Sequence, residues 1–197
     1  VGYIGTHGMA HALGNVLDAA ALLRERSDIA FLLVGAGAER ADLIDRARSE
    51  GLDNVRFLGP QSKSRMPEVW SLCDVALVHL KNSTVFEGVI PSKIFEAMGM
   101  GMAILFAGPE GEGSRIVASA EAGLVVLPED AMALAEAVRQ LADDPSLRHK
   151  LATNSHAAAP LYSREMQARH MLGVLQLVVD GDGHKAATVA AESGKPS

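Results

Sequence analysis

Asp74-Val-Ala-Leu-Val-His-Leu80, then a loop, then Pro91-Ser-Lys-Ile-Phe-Glu-Ala-Met-Gly-Met-Gly101 decide how this chain folds. The first segment is apolar at nearly every position, the pattern of a strand buried on both faces. The second opens a helix at Pro91-Ser92, where the Ser92 hydroxyl is placed to cap the first turn. Small residues from Ala97 to Ala103 let that helix lie close to the strand that follows. Strand, helix and strand in succession make the crossover unit of a parallel sheet.

The same alternation runs in both directions. Strand candidates are 1–4, 29–34, 55–58, 75–80, 103–106 and 123–127. Helical stretches are 11–26, 39–50, 64–72, 92–99 and 113–120, followed by 131–143, 145–157 and 163–179. In the first helix Leu13, Val16, Leu17, Ala20 and Leu23 mark one face at helical spacing. Six strands alternating with helices imply a doubly wound, six-stranded parallel α/β domain, Rossmann-like, over residues 1–179. Residues 180–197 lose all periodicity and read as a disordered tail. The chain begins on a strand and not on Met, which reads as a piece of a longer protein.

Composition narrows the function. Eighteen basic residues against twenty-four acidic ones leave a net charge of −6, which speaks against a non-specific nucleic-acid binder. The single cysteine, Cys73, forms no intrachain disulfide and reads as buried filler, in keeping with a reducing cytoplasm. No apolar run approaches the roughly 20 residues of a membrane span, and no signal peptide is visible. No spacing of His, Cys, Asp and Glu reads as a metal site.

With the common strand order 3-2-1-4-5-6, winding reverses between strands one and four, where such sheets bind ligands. The loops that meet there are 5–11 and 81–92, the two chemically richest in the chain. In the first, Gly5 and Gly8 permit a tight turn and close backbone approach, Thr6 adds a hydroxyl, and His7 and His11 can donate to oxyanions. A plain strand-to-helix turn with two exposed histidines explains the same residues. In the second, Lys93 brings a mobile charge suited to phosphate to a helix N-terminus. Glu96 lies one turn after Ser92, where a carboxylate matches the vicinal hydroxyls of a ribose. A solvated lysine and an acidic residue favoured near a helix start are the simpler explanations. Glu87 either faces a sugar or is an ordinary solvated loop residue. Gln61, at the carboxyl end of strand three, stands where a nucleobase could meet backbone groups, although turn chemistry accounts for it too. Gly35-Ala-Gly37 follows strand two and lacks a third glycine, so it is a poor dinucleotide fingerprint.

The 91–101 segment resembles the donor-site helix of retaining group 1 glycosyltransferases of the GT-B fold, most of all the amino-sugar and fucosaminyl transferases of bacterial surface polysaccharide synthesis. Val1-Gly-Tyr-Ile-Gly-Thr-His-Gly-Met-Ala-His11, Phe31-Leu-Leu-Val-Gly-Ala-Gly37 with Asn54-Val-Arg-Phe-Leu-Gly59, and Gly123-Leu-Val-Val-Leu-Pro128 with Asp143-Asp-Pro145 carry the resemblance over about residues 1–179. It implies the C-terminal, donor-binding half of the fold, with the N-terminal acceptor domain absent from this chain. It also implies retaining transfer from a nucleotide-diphosphate sugar, UDP-linked and of the N-acetylamino type, to a glycan or lipid-linked acceptor. No metal or other cofactor is obligatory on this reading. The expected setting is cytoplasmic, with at most peripheral attachment at the inner face of the membrane.

Residue by residue, the resemblance puts Glu96 on the donor ribose and the N–H groups of Ser92, Lys93 and Ile94 on the diphosphate. Gly5 and Thr6 fall in the phosphate loop. His11 stands where the family commonly has a lysine clamping the diphosphate, and Lys93 supplies some of the missing charge. The family's other glutamate, expected to contact the donor sugar eight positions before Glu96, is Gly88 here, with Glu87 one place off. Lys93, His11 and Glu87 are thus the candidate catalytic groups. Two alternatives use the same residues: half of a GT-B nucleotide-sugar 2-epimerase, and a non-catalytic nucleotide-binding module.

Overall fold

Six short apolar runs pair into one parallel sheet in the computed structural model, which describes residues 1–181 with Lys185, Ala187 and Thr188. The strands are β1 (Gly2–Ile4), β2 (Phe31–Val34), β3 (Val55–Leu58), β4 (Val75–His79), β5 (Ala103–Ala107) and β6 (Gly123–Val126). Their order is β3-β2-β1-β4-β5-β6, so winding reverses between β1 and β4 as expected. The helices are α1 (Gly14–Leu22), α2 (Arg40–Ser49), α3 (Met66–Trp70), α4 (Ser92–Gly99), α5 (Glu112–Ser119), α6 (Ala131–Asp143), α7 (Pro145–Ala158) and α8 (Arg164–Val179).

Neighbouring residues of one strand feed opposite cores, because successive side chains leave a strand on opposite sides. Tyr3, Leu33, Leu77 and Leu105 join Leu13, Leu17, Leu134 and Leu141 on one face. Ile4, Val34, Val78 and Phe106 join Trp70, Ile94, Met98 and Val117 on the other. Burial on both faces is why these strands are apolar throughout and do not alternate.

The first helix is shorter than its apolar spacing predicts. Ala12 adopts left-handed backbone (φ 43°, ψ 45°), which splits the segment into a 3-10 turn (Met9–His11) and α1. The last helix, α8, buries none of its residues. Met171, Leu172, Leu175, Val178 and Val179 stand exposed on it. The reading of 180–197 as a tail falls mostly outside the described residues; Lys185, Ala187 and Thr188 are helical. No described helix is long and apolar enough to cross a membrane.

Candidate functional site

The loop after β1 is laced to the loop after β2. Gly5 N–H donates to the Val34 carbonyl at 2.9 Å, His7 N–H to Ala36 at 2.9 Å, and Glu39 N–H to His7 at 3.0 Å. Gly35 makes this approach possible: a Cβ there would lie 1.9 Å from the Gly5 carbonyl oxygen. Gly35-Ala-Gly37 is therefore a brace for the first loop, a role that sequence reasoning did not find. His7 is fully buried beside Tyr3 and Phe57, so the reading of two exposed histidines fails for it. Neither of its ring nitrogens has a hydrogen-bond partner. Burial and then Arg40 lower its pKa, while the Val34 carbonyl opposes them without reaching hydrogen-bond geometry.

Lys93 reaches from α4 across to that first loop. A Cβ on Gly5 would lie 2.4 Å from Lys93 Cε and 2.7 Å from Nζ. The ammonium sits over the Tyr3 ring, 5.0 Å from its centroid, a cation–π arrangement. Tyr3, wholly buried, donates its hydroxyl to the Thr6 carbonyl at 2.8 Å. The Lys93 pKa is lowered by burial, with Glu96 pulling the other way. Lys93 is thus no freely solvated lysine.

His11 and His79 exchange hydrogen bonds. The Nδ1 of His11 lies 3.2 Å from the His79 carbonyl, and the Nδ1 of His79 lies 2.8 Å from the His11 carbonyl. Lys81 N–H adds a bond to the Ala10 carbonyl at 2.9 Å, so the end of β4 grips the 3-10 turn. Burial holds the His79 pKa down to about 4, which keeps the ring neutral. Its Nε2 lies 3.0 Å from Asn15 Oδ1, so a neutral ring that donates through Nδ1 calls for the Asn15 amide turned over, with its NH₂ facing Nε2. The His11 pKa is lowered too, by burial first and by Lys93 second.

At α4 two expectations change. Pro91, extended at φ −66° and ψ 128°, is the N-cap, which moves Ser92 into the first helical position. The Ser92 hydroxyl donates instead to Glu96 Oε1 at 3.1 Å. Ile94 N–H turns back to the Pro91 carbonyl at 3.1 Å, so it is not free for a diphosphate. Ser92 and Lys93 N–H have no partner among the described residues, leaving a mouth two amides wide.

The remaining candidates divide between two grooves. Ile4, Gly5, Thr6, Gly35, Pro60 and Gln61 border one of about 340 Å³ at the carboxyl ends of β1 to β3. The Gln61 side chain is held locally: its Nε2 donates to Gly59 and its Oε1 accepts from Arg65. Ser92 and Glu96 border a second groove, of about 570 Å³, together with Phe95, His156, Tyr162 and Arg164. Phe95 stacks on Tyr162 there at 5.2 Å. Lys93 therefore meets Gly5 and faces His11, while Gly5 and Thr6 share a groove with Gln61 that neither Lys93 nor His11 lines. Glu96 reaches Gly5 and His11 only by way of its neighbour Lys93. A further cavity of about 310 Å³ beside Val1, Asp28 and Asp74 lies at the opposite, amino ends of the strands.

The Glu87 side chain is exposed and has no partner among the described residues, which fits the solvated reading. Its backbone carbonyl accepts Glu112 N–H at 3.0 Å, tying the loop to the start of α5. A side chain at Gly88 would meet nothing within 4 Å. No group of three or more His, Cys, Asp or Glu among the described residues could hold a metal ion.

The profile of the family described as glycosyl transferases group 1 matches residues 2–157. Alpha-D-kanosaminyltransferase of Streptomyces kanamyceticus is 30% identical over 161 residues, 81% of this chain and 39% of that protein. The putative colanic acid biosynthesis glycosyl transferase WcaI of Escherichia coli K12 is 34% identical over 99 residues, 50% of this chain and 24% of that protein. The chain thus spans well under half the length of these relatives. Anabaena HepE, solved with UDP and glucose, superposes with a TM-score of 0.68 at 24% identity, over 80% of this chain and 42% of that one.

Proposed function

The chain belongs to the group 1 glycosyl transferases, and from that premise we propose that the cleft between β1 and β4 holds the diphosphate of a nucleotide-sugar donor. The observation that carries this reading is the placement of Lys93, folded over Gly5 beside two unpartnered amides of its own helix. A cation that crosses to a glycine turn from a helix start with two free N–H groups suits a pyrophosphate. Glu96 takes the ribose diol, and the groove beside Gln61 takes the base.

The whole protein on this proposal transfers a sugar with retention, from a UDP-linked N-acetylamino donor to a glycan or lipid-linked acceptor in bacterial surface polysaccharide synthesis. A second, N-terminal domain supplies the acceptor site. UDP in HepE supports the choice of base, the kanosaminyl enzyme supports an amino sugar, and the colanic acid enzyme supports a polysaccharide pathway. As the glycosidic bond breaks, the departing diphosphate gains charge. Ser92 and Lys93 N–H, the Lys93 ammonium and His11 offset it without calling on a metal ion. Gly88, where the resemblance expects a glutamate, favours one second reading, a module that binds the nucleotide without transferring the sugar.

Thermal-shift screening with UDP, GDP, ADP and dTDP, in Mg²⁺ or EDTA, tests the proposal. UDP is expected to raise Tm most, with the shift surviving EDTA. Lys93→Ala and Glu96→Ala are each expected to weaken UDP binding by about tenfold or more, the cost of a lost charged hydrogen bond. Unchanged UDP affinity in both folded variants would move the site elsewhere.

A further inference from the structure

We infer that His11 takes up a proton from solvent when the donor diphosphate binds, and that the His79 carbonyl dictates which ring nitrogen receives it. The inference rests on the donor-site reading above and adds to it a proton that moves with the ligand.

A carbonyl oxygen only accepts hydrogen bonds. The His11 Nδ1 facing the His79 carbonyl at 3.2 Å must therefore carry a hydrogen. In a neutral imidazole the other nitrogen, Nε2, is then a bare lone pair. It has no protein partner among the described residues and is not sealed from solvent. The ring cannot swap tautomers without breaking that bond. The reciprocal His79 Nδ1–H on the His11 carbonyl at 2.8 Å holds the backbone in register with it.

Free of ligand, His11 is neutral for reasons visible around it. Lys93 faces it from α4, the Tyr3 ring packs edge-on at 5.8 Å from β1, His7 shares its loop, and His79 faces it from β4. Among these groups the one full charge is the Lys93 cation, and burial adds to its effect. A bare lone pair beside a pyrophosphate would repel it. Two phosphate charges arriving at Gly5 and Lys93 reverse the local sign and make that lone pair a base. The proton comes from the buffer and no covalent bond forms or breaks. The imidazolium keeps Nδ1 on His79 and offers Nε2–H to the phosphate without turning. Because the complex binds more protons than the free chain, affinity should fall as pH rises through neutrality.

Two measurements test this on the 197-residue chain. Long-range ¹H–¹⁵N spectra of the free chain read the tautomer directly. The Nδ1–H form is expected for His11, and an Nε2–H form would overturn the inference. Calorimetry of UDP binding at about pH 7.5, in buffers of different ionisation enthalpy, counts protons. Wild type is expected to take up roughly half to one proton more than His11→Gln, and its Kd to rise several-fold over the next pH unit. UDP's own terminal phosphate is common to both chains and cancels in the difference. His11→Lys should bind UDP at least as tightly while losing the extra proton. Equal proton counts for wild type and His11→Gln would overturn the inference and leave the donor site standing. Failure of UDP to bind at any pH would remove the donor site, and this inference with it.

Discussion

Gly88 is where a single residue tells most about what the site can do. The resemblance puts a sugar-contacting glutamate there, and the structure leaves the space open, with nothing within 4 Å of an added Cβ. The exposed Glu87 next to it has its carbonyl, not its carboxylate, tied down. Gly88→Glu should therefore fold normally and leave UDP affinity unchanged. Its preference for UDP-N-acetylglucosamine over UDP should rise by about three- to tenfold, the worth of one charged hydrogen bond at a partly solvated site. Competition binding with the two ligands checks this, and an unchanged ratio would mean that the donor sugar does not pass position 88.

At the scale of elements, α8 is set apart from the rest. It buries no residue and meets the body of the domain through the 3-10 turn Ala159–Tyr162, where Tyr162 stacks on Phe95. A chain cut after Ser163 should keep its UDP affinity and melt within a few degrees of the full chain. A large loss of Tm would give α8 a packing role that its exposure denies. The elements themselves were legible because doubly buried strands and one-sided helices leave different apolar spacings. Val55–Leu58, Ser92–Gly99 and Ala131–Asp143 match their expected bounds residue for residue. The convergence of Gly5, His11 and Lys93 was legible as well, since topology alone brings the loops after β1 and β4 together. Other features were not. A histidine ending an apolar strand, as His79 does, looks the same in sequence whether it faces solvent or clasps a residue 68 positions away. The burial of His7 and the bracing by Gly35 likewise depend on contacts between loops, which no local spacing encodes.

The whole molecule carries a pH dependence from histidines folded in the neutral state. His79 is the clearest: its pKa is about 4 in the fold, against an ordinary value of 6.5, because burial disfavours the charged ring. His7 and His11 are shifted the same way. Between those values the unfolded chain binds the proton and the folded chain does not, so stability is full above about pH 6.5 and drains as pH falls toward 4. For His79 alone the loss is at most about 3 kcal/mol. Urea melts at stepped pH should show it. His79→Gln should flatten the slope between pH 6.5 and 4, and a variant as acid-sensitive as wild type would discharge His79 from that role.

The seam between β1 and β4 bears on how the molecule comes together. The two strands share one register pair, Gly2 with Ala76, and stand more than seventy residues apart in the chain. β1 to β3 and β4 to β6 can each zip up over shorter spans, and closing the long loop between them is the entropically slower step. The groups assigned to the phosphates are divided by that closure, with Gly5, Thr6 and His11 on the β1 side and Ser92 and Lys93 on the β4 side. Half-assembled intermediates therefore offer a nucleotide only part of its site, and the ligand should act mainly by delaying escape from the finished fold and little by speeding its construction.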